Sequence, residues 1–115
     1  MIQEYSFGKI KISGNVFNWD VEVWNSGEVW RWFRGESHVI DVGAIGPALE
    51  RRPDIMVVGT GHSGMAWITP EVEAKLQEKS VLLVEGRTSE AVRMFNVLLK
   101  NEPTLRIVGL FHLTC

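Results

Sequence analysis

Gly59, Gly61 and Gly64 follow the apolar run Ile55 to Val58. Their spacing is that of a dinucleotide-binding loop, in which glycines let the backbone approach a pyrophosphate and a helix N-terminus receives its charge. Glu85 closes the next apolar run, near where a ribose-binding acid stands after such a loop. The chemistry would be nicotinamide or flavin dinucleotide binding, but the mechanism fails on placement. Met65 to Thr69 intervene after Gly64 and Pro70 marks the start of the next helix, so no helix begins at the glycines. The strands and helices that follow amount to about half of a full dinucleotide domain. No cofactor is expected, and Gly59 and Gly61 read as residues that let the chain turn sharply after a buried strand.

The same segment supports a second chemistry. Two parallel strands joined by a right-handed crossover helix put both strand ends at one edge, where open α/β sheets bind ligands. That edge would carry Gly59, Thr60, Gly61 and His62 from one loop, and Glu85, Gly86, Arg87 and Thr88 from the next. A parallel last strand would add His112, Thr114 and Cys115. Exposed backbone N–H groups, the cationic Arg87 and a helix N-terminus capped by Thr88 would make a small-anion site. The ligand candidates are therefore Gly59, Thr60, Gly61, His62, Arg87, Thr88 and His112. The bland alternative makes Thr88 only a cap and Arg87 a solvated loop residue, because position in a fold is an analogy and not a mechanism.

Other constellations fall short of chemistry. His38, His62 and His112 show none of the paired spacings that pre-organise metal ligands, so no metal is expected. Cys115 sits beside its own terminal carboxylate, which disfavours a thiolate and hence a Cys115/His112 nucleophile pair. Ser63 beside His62 lacks the strand-turn-helix elbow of a hydrolase serine. No catalytic residue is assigned, and the reading leans away from an enzyme while leaving catalysis open. Trp19, Trp24, Trp30 and Trp32 stand on short hairpins, and exposed tryptophan is typical of binding surfaces. Trp24, Trp30 and Trp32 are the candidates for a protein-partner surface, with burial between two layers as the alternative.

The elements that must position these residues fall into two halves. Residues up to about 40 alternate apolar and polar residues between Gly and Asn punctuation, the pattern of a meander of hairpins. Ser13-Gly14-Asn15 and Asn25-Ser26-Gly27 make the turns, with Val21 and Val23 facing one way and Trp24 the other. "AIGPALERR" predicts a short helix with Pro47 near its start. Ile55 to Val58 and Val81 to Val84 predict buried strands. Thr69-Pro70-Glu71 opens one helix, with Thr69 as its cap. Thr88-Ser89-Glu90 opens another, with Ala91, Phe95, Leu98 and Leu99 on one side. Leu105 to Leu113 predicts a final strand.

The chain has 115 residues, 45% of them hydrophobic, which predicts one domain, 1–115, with a single core. A formal charge of −2 without basic blocks argues against a nucleic-acid partner. No stretch approaches the roughly 20 apolar residues of a membrane span. "MIQEYSFGKIKI" reads as neither a secretion signal nor a transit peptide, so the expected location is the cytoplasm. The single cysteine is compatible with a reducing compartment.

The Trp-rich hairpins, "VVGTG", "RTSEAV" followed by Asn96, and the closing Phe111-His112-Leu113-Thr114-Cys115 together resemble the Mth nine-three-eight domain family, named for an archaeal protein of unknown function. The resemblance covers almost the whole chain. It implies an α/β fold bordering on α+β, with three layers: a mixed central sheet, helices on one face and a small N-terminal hairpin sheet on the other. Animal relatives include a mitochondrial assembly factor for respiratory complex I and a cytoplasmic adipogenesis-associated protein. The resemblance thus implies a non-enzymatic interaction or assembly role, with an unidentified protein partner. The rival expectation is a small-anion or metabolite-binding protein, or an enzyme, with its site at the Gly59 to His62 and Glu85 to Thr88 loops.

Overall fold

The computed structural model describes residues 1–33 and 38–115. The chain opens with β1 (Ile2–Ser6), β2 (Lys9–Ile12) and β3 (Asn15–Phe17), an antiparallel meander. Its turns use Gly8 and Gly14 at φ of 77° and 88°, a backbone region that disfavours side chains with a β-carbon. A hairpin follows, β4 (Val21–Trp24) and β5 (Val29–Arg31), and then β6 (Val39–Ile40) and α1 (Val42–Glu50). The remainder alternates strand and helix: β7 (Ile55–Thr60), β8 (Trp67–Ile68), α2 (Pro70–Glu78), β9 (Leu82–Gly86), α3 (Thr88–Asn101) and β10 (Ile107–His112).

The central sheet has the order β5-β4-β10-β7-β9. β7 runs parallel to both β10 and β9, whereas β4 and β5 are antiparallel additions, so the sheet is mixed. Every residue of β7 and β10 is buried, which is why both read as near-continuous apolar runs. β6 and β8 form a separate parallel pair, too short to register as periodic sequence.

The two faces of the sheet carry different layers. Met56, Val58, Val108 and Leu110 pack with Trp24 and Trp32, with Ile45 and Ala48 of α1, and with Val72 and Leu76 of α2. Ile55, Val57, Ile107 and Phe111 face the other way, against Phe95 and Ala91 of α3 and Ile2, Ile10 and Ile12 of the small sheet. The helices are therefore divided. α1 and α2 cover one face, whereas α3 shares the other with the hairpin sheet, in place of the one-sided arrangement implied by the resemblance. The reason lies in α3, whose Phe95 meets Phe111 edge-on with ring centroids 5.6 Å apart, while its Asn96 donates to Ile2 O and accepts from Ile2 N.

Helix starts follow the sequence in one case and depart from it in two. Thr69 caps α2 by accepting from Val72 N, with Pro70 in the first turn. α1 begins earlier than its pattern predicts, because Asp41 caps it through Ala44 N at 2.9 Å. Pro47 consequently lies inside the helix, where it removes the bond that an N–H would donate to Gly43. For α3, Arg87 holds the cap position without a side-chain bond, and Thr88 is a fully buried residue of the first turn.

Candidate functional site

The parallel ladder brings the predicted edge together. Thr60 is in register with His112, and Gly59 with both Phe111 and Gly86, so Gly59, Thr60, Gly61, His62, Arg87, Thr88 and His112 converge at the C-terminal ends of β7, β9 and β10. The edge is occupied by the chain itself. The Thr88 hydroxyl donates to His112 O at 2.5 Å and accepts from Gly61 N at 3.0 Å, tying three strand ends in a buried knot. Thr88 N donates to Gly61 O, and the Thr60 hydroxyl donates to Gly86 O at 3.1 Å. A buried hydroxyl with both roles filled is a structural tie. Thr88 is thus not the cap that the sequence predicts.

The glycines admit close neighbours. A β-carbon on Gly59 would lie 2.8 Å from the Thr88 hydroxyl and 3.1 Å from the Phe111 ring. Gly61, with φ of 108°, lies against the backbone of Thr114 and Cys115. That C-terminal tail also takes the loop's donors: His62 N bonds Thr114 O, and Met65 N bonds Cys115 O, both at 3.2 Å. At the start of α3, Glu90 N and Ala91 N return to Arg87 O. Most of the N–H groups that an anion would need are therefore engaged within the chain. Arg87 stays at the surface, 3.7 Å from Glu90.

Asp20, absent from the sequence-derived candidates, organises the other side of this edge. One carboxylate oxygen lies 2.9 Å from His112 Nδ1 and the other accepts from Leu113 N at 2.8 Å. Asp20 and His112 are 92 positions apart, so local spacing carries no signal of the pair. Nearby, the Tyr5 hydroxyl donates to Leu113 O at 3.1 Å and lies 3.2 Å from His62 Nδ1, while Phe7 meets the His62 ring edge-on. Burial raises the Tyr5 phenol above its ordinary value, and the Asp20 charge adds to the rise. This aromatic and carboxylate cluster anchors β1 and the β3–β4 turn to the C-terminal tail.

The tryptophan candidates separate sharply. Trp24 is 1% exposed and Trp32 5%, so neither offers a partner surface. Their ring nitrogens are satisfied internally, Trp24 donating to Glu22 at 2.7 Å and Trp32 to Ala44 O at 2.9 Å. Packing between the sheet and α1 accounts for the burial of both. Trp30 is 56% exposed and Phe33 75%. They flank an open groove of about 420 Å³ whose lining includes Trp32, Ala44, Pro47 and Arg51. Arg51 bonds Glu28 at 2.8 Å, and that bond is the main reason the Glu28 carboxyl titrates below its ordinary value. The Arg51 guanidinium also lies over Trp24, 4.4 Å from the ring centroid.

The sequence model of a family described as "Protein of unknown function (DUF498/DUF598)" matches residues 2–112. The chain belongs to this family. Among solved structures it is similar to the conserved hypothetical protein PH1505 from Pyrococcus horikoshii OT3, with 30% identity, a TM-score of 0.85, and 100% of this chain and 99% of that one covered. It is similar in fold to MT938, at 21% identity and a TM-score of 0.81 over 100% and 98% of the two chains. A third similar fold is that of a protein from Bartonella henselae described as an outer membrane protein, at 22% identity and a TM-score of 0.80 over 99% and 94%. The match to MT938 agrees with the Mth nine-three-eight resemblance of the sequence. Family membership shows the fold and brings no assigned activity, so function rests on the local geometry. No helix among the described residues is long and apolar enough to cross a membrane.

Proposed function

We propose that this protein is a non-catalytic interaction module of the cytoplasm, assisting assembly by seating a protein partner on the groove between β5 and α1. The observation that carries this reading is the pairing of exposed Trp30 and Phe33 around a groove that Trp32, Ala44 and Pro47 help to line. Large, stiff aromatic rings lose little entropy on docking and dominate binding energy where they fill a partner's pocket. Arg31, 5.2 Å from the Phe33 ring centroid, and the Arg51–Glu28 pair supply a polar rim. The rival reading, a small anion at Arg87 and the glycine loop, draws less support because the C-terminal tail and Thr88 occupy most of the donors there.

Affinity purification from the source cell, with the tag at the N-terminus, tests the two together when proteins and small molecules are both identified by mass spectrometry. The expected result is a stoichiometric protein partner held by the wild type and lost with Trp30→Ala. A partner retained by the double variant Trp30→Ala/Phe33→Ala overturns the surface. A bound anionic metabolite that is released by Arg87→Ala, with no protein partner, overturns the interaction reading in favour of the glycine edge.

A further inference from the structure

We propose that β9 is a self-association edge, through which two copies of this chain pair antiparallel across a two-fold axis at Val84. The inference is independent of the aromatic groove, which lies at the opposite end of the sheet.

The main chain of β9 sets the geometry. β9 ends the five-stranded sheet and, among the described residues, pairs only with β7. Leu82 N donates to Asp54 O at 3.0 Å, so Leu82 turns its backbone groups toward β7. Alternation along a parallel ladder then turns Val84 and Gly86 the same way, as the Gly86 carbonyl accepting from Thr60 agrees. Leu83 and Glu85 are left with N–H and C=O groups pointing away from the sheet. Two outward residues of this kind, with one between them, are self-complementary. In an antiparallel pair centred on Val84, Leu83 of each copy exchanges two hydrogen bonds with Glu85 of the other, four bonds in all for the narrow pairs of such a ladder.

The side chains fit the same register. Leu82, Val84 and Gly86 share the α3 face, where Val84 joins Arg93, Met94, Val97 and Leu98 in lining a largely apolar groove of about 370 Å³. Leu82 is 58% exposed and Val97 53%. Centring on Val84 sets the two Val84 side chains side by side and places each Leu82 opposite Gly86 of the other copy, a large residue against one without a side chain. Edge strands of monomeric sheets are blunted by proline, charged side chains, bulges or shortness, and the one charge on β9, Glu85, lies on the face away from α3, beside neither Val84 nor Leu82. β9 is five residues, Leu-Leu-Val-Glu-Gly, with no proline or lysine. β5, the other edge, is three residues long and carries Arg31, whose guanidinium lies over Trp19 and Phe33.

Sedimentation equilibrium over a concentration series tests the proposal. The expected mass is twice the 13.0 kDa of one chain at high concentration, falling to one chain on dilution. Leu82→Lys/Val97→Lys changes two exposed positions, so the fold should survive by circular dichroism while the dimer is lost. Register is read separately in a Cys115→Ser background. Val84→Cys should form an intermolecular disulfide on mild oxidation, because its partner Cα lies about 4.5 Å away across the non-hydrogen-bonded pair. Leu82→Cys should not, since four residues of offset separate the two thiols by roughly 13 Å along the strands. A chain that stays monomeric throughout, a dimer indifferent to the two lysines, or equal crosslinking at both positions overturns the proposal.

Discussion

The carbonyl oxygen of Cys115 lies 2.5 Å from the point where a β-carbon on Gly61 would stand. The C-terminal tail thus fills the space beside Gly61, and the glycine is needed for the chain's own backbone.

Gly61→Ala should therefore destabilise the fold through both its left-handed φ and its collision with the tail. Backbone strain of this kind costs roughly 1–3 kcal/mol, which lowers the melting temperature by about 4 °C per kcal/mol in a chain of this size. Deleting Thr114 and Cys115 removes the collision but not the strain, so alanine should cost less in the truncated chain. Strictly additive melting shifts in this double-mutant cycle would show that tail and glycine do not press on one another.

Thr88→Val keeps the shape of the side chain and removes its hydroxyl. Gly61 N and His112 O then each lose a buried partner, a loss of roughly 1–3 kcal/mol for each group left unsatisfied. Ser89→Ala, on the adjacent surface of the same helix turn, should stay within about 0.5 kcal/mol of wild type. Urea unfolding of the pair distinguishes a buried tie from a helix cap, for a cap is worth typically about 1 and at most about 2 kcal/mol, whereas two orphaned buried groups together exceed about 2 kcal/mol.

Trp32 and Trp30 should part company in the same assay. Trp32→Ala opens a cavity between the sheet and α1 and should cost about 3–5 kcal/mol. Trp30→Ala, at the rim of the groove, should leave stability within about 0.5 kcal/mol. Equal losses would mean that the Trp30 ring supports the core and is not held out for a partner.

The legible part of the fold was whatever recurs along the chain. The alternation of Val21, Val23 and Trp24, the unbroken runs of β7 and β10, and the Thr69-Pro70 start of α2 are all local patterns with local causes. Asp41 is not legible as the α1 cap because Val42 and Gly43 separate it from the first strongly periodic residue. The assignment of α3 to the hairpin face depends on Phe95 and Asn96 finding Phe111 and Ile2, contacts that no periodicity encodes. At the candidate site, sequence located the residues but not their occupant. A glycine that admits a phosphate and one that admits Cys115 are the same letter, and Asp20 can be linked to His112 only after β4 has paired with β10.

Glu85 supplies a pH test of the β9 edge in the monomer. Burial raises its carboxyl above the ordinary value of 4.5, and repulsion from Glu73 on α2 raises it further. Below 4.5 the folded and unfolded chains both hold the proton, and Glu85 contributes no difference. As pH climbs from there through the raised folded value, the unfolded chain gives up its proton first, and stability falls. Above the folded value the loss is complete and constant. Glu85→Gln should therefore melt higher than wild type at neutral pH, with the gap closing as pH falls toward 4.5. Glu73→Gln removes only the smaller, Coulombic part and should give a smaller gap of the same sign. Melting curves of dilute protein across the acid range check this, and a gap that widens toward acid would reverse the assigned direction.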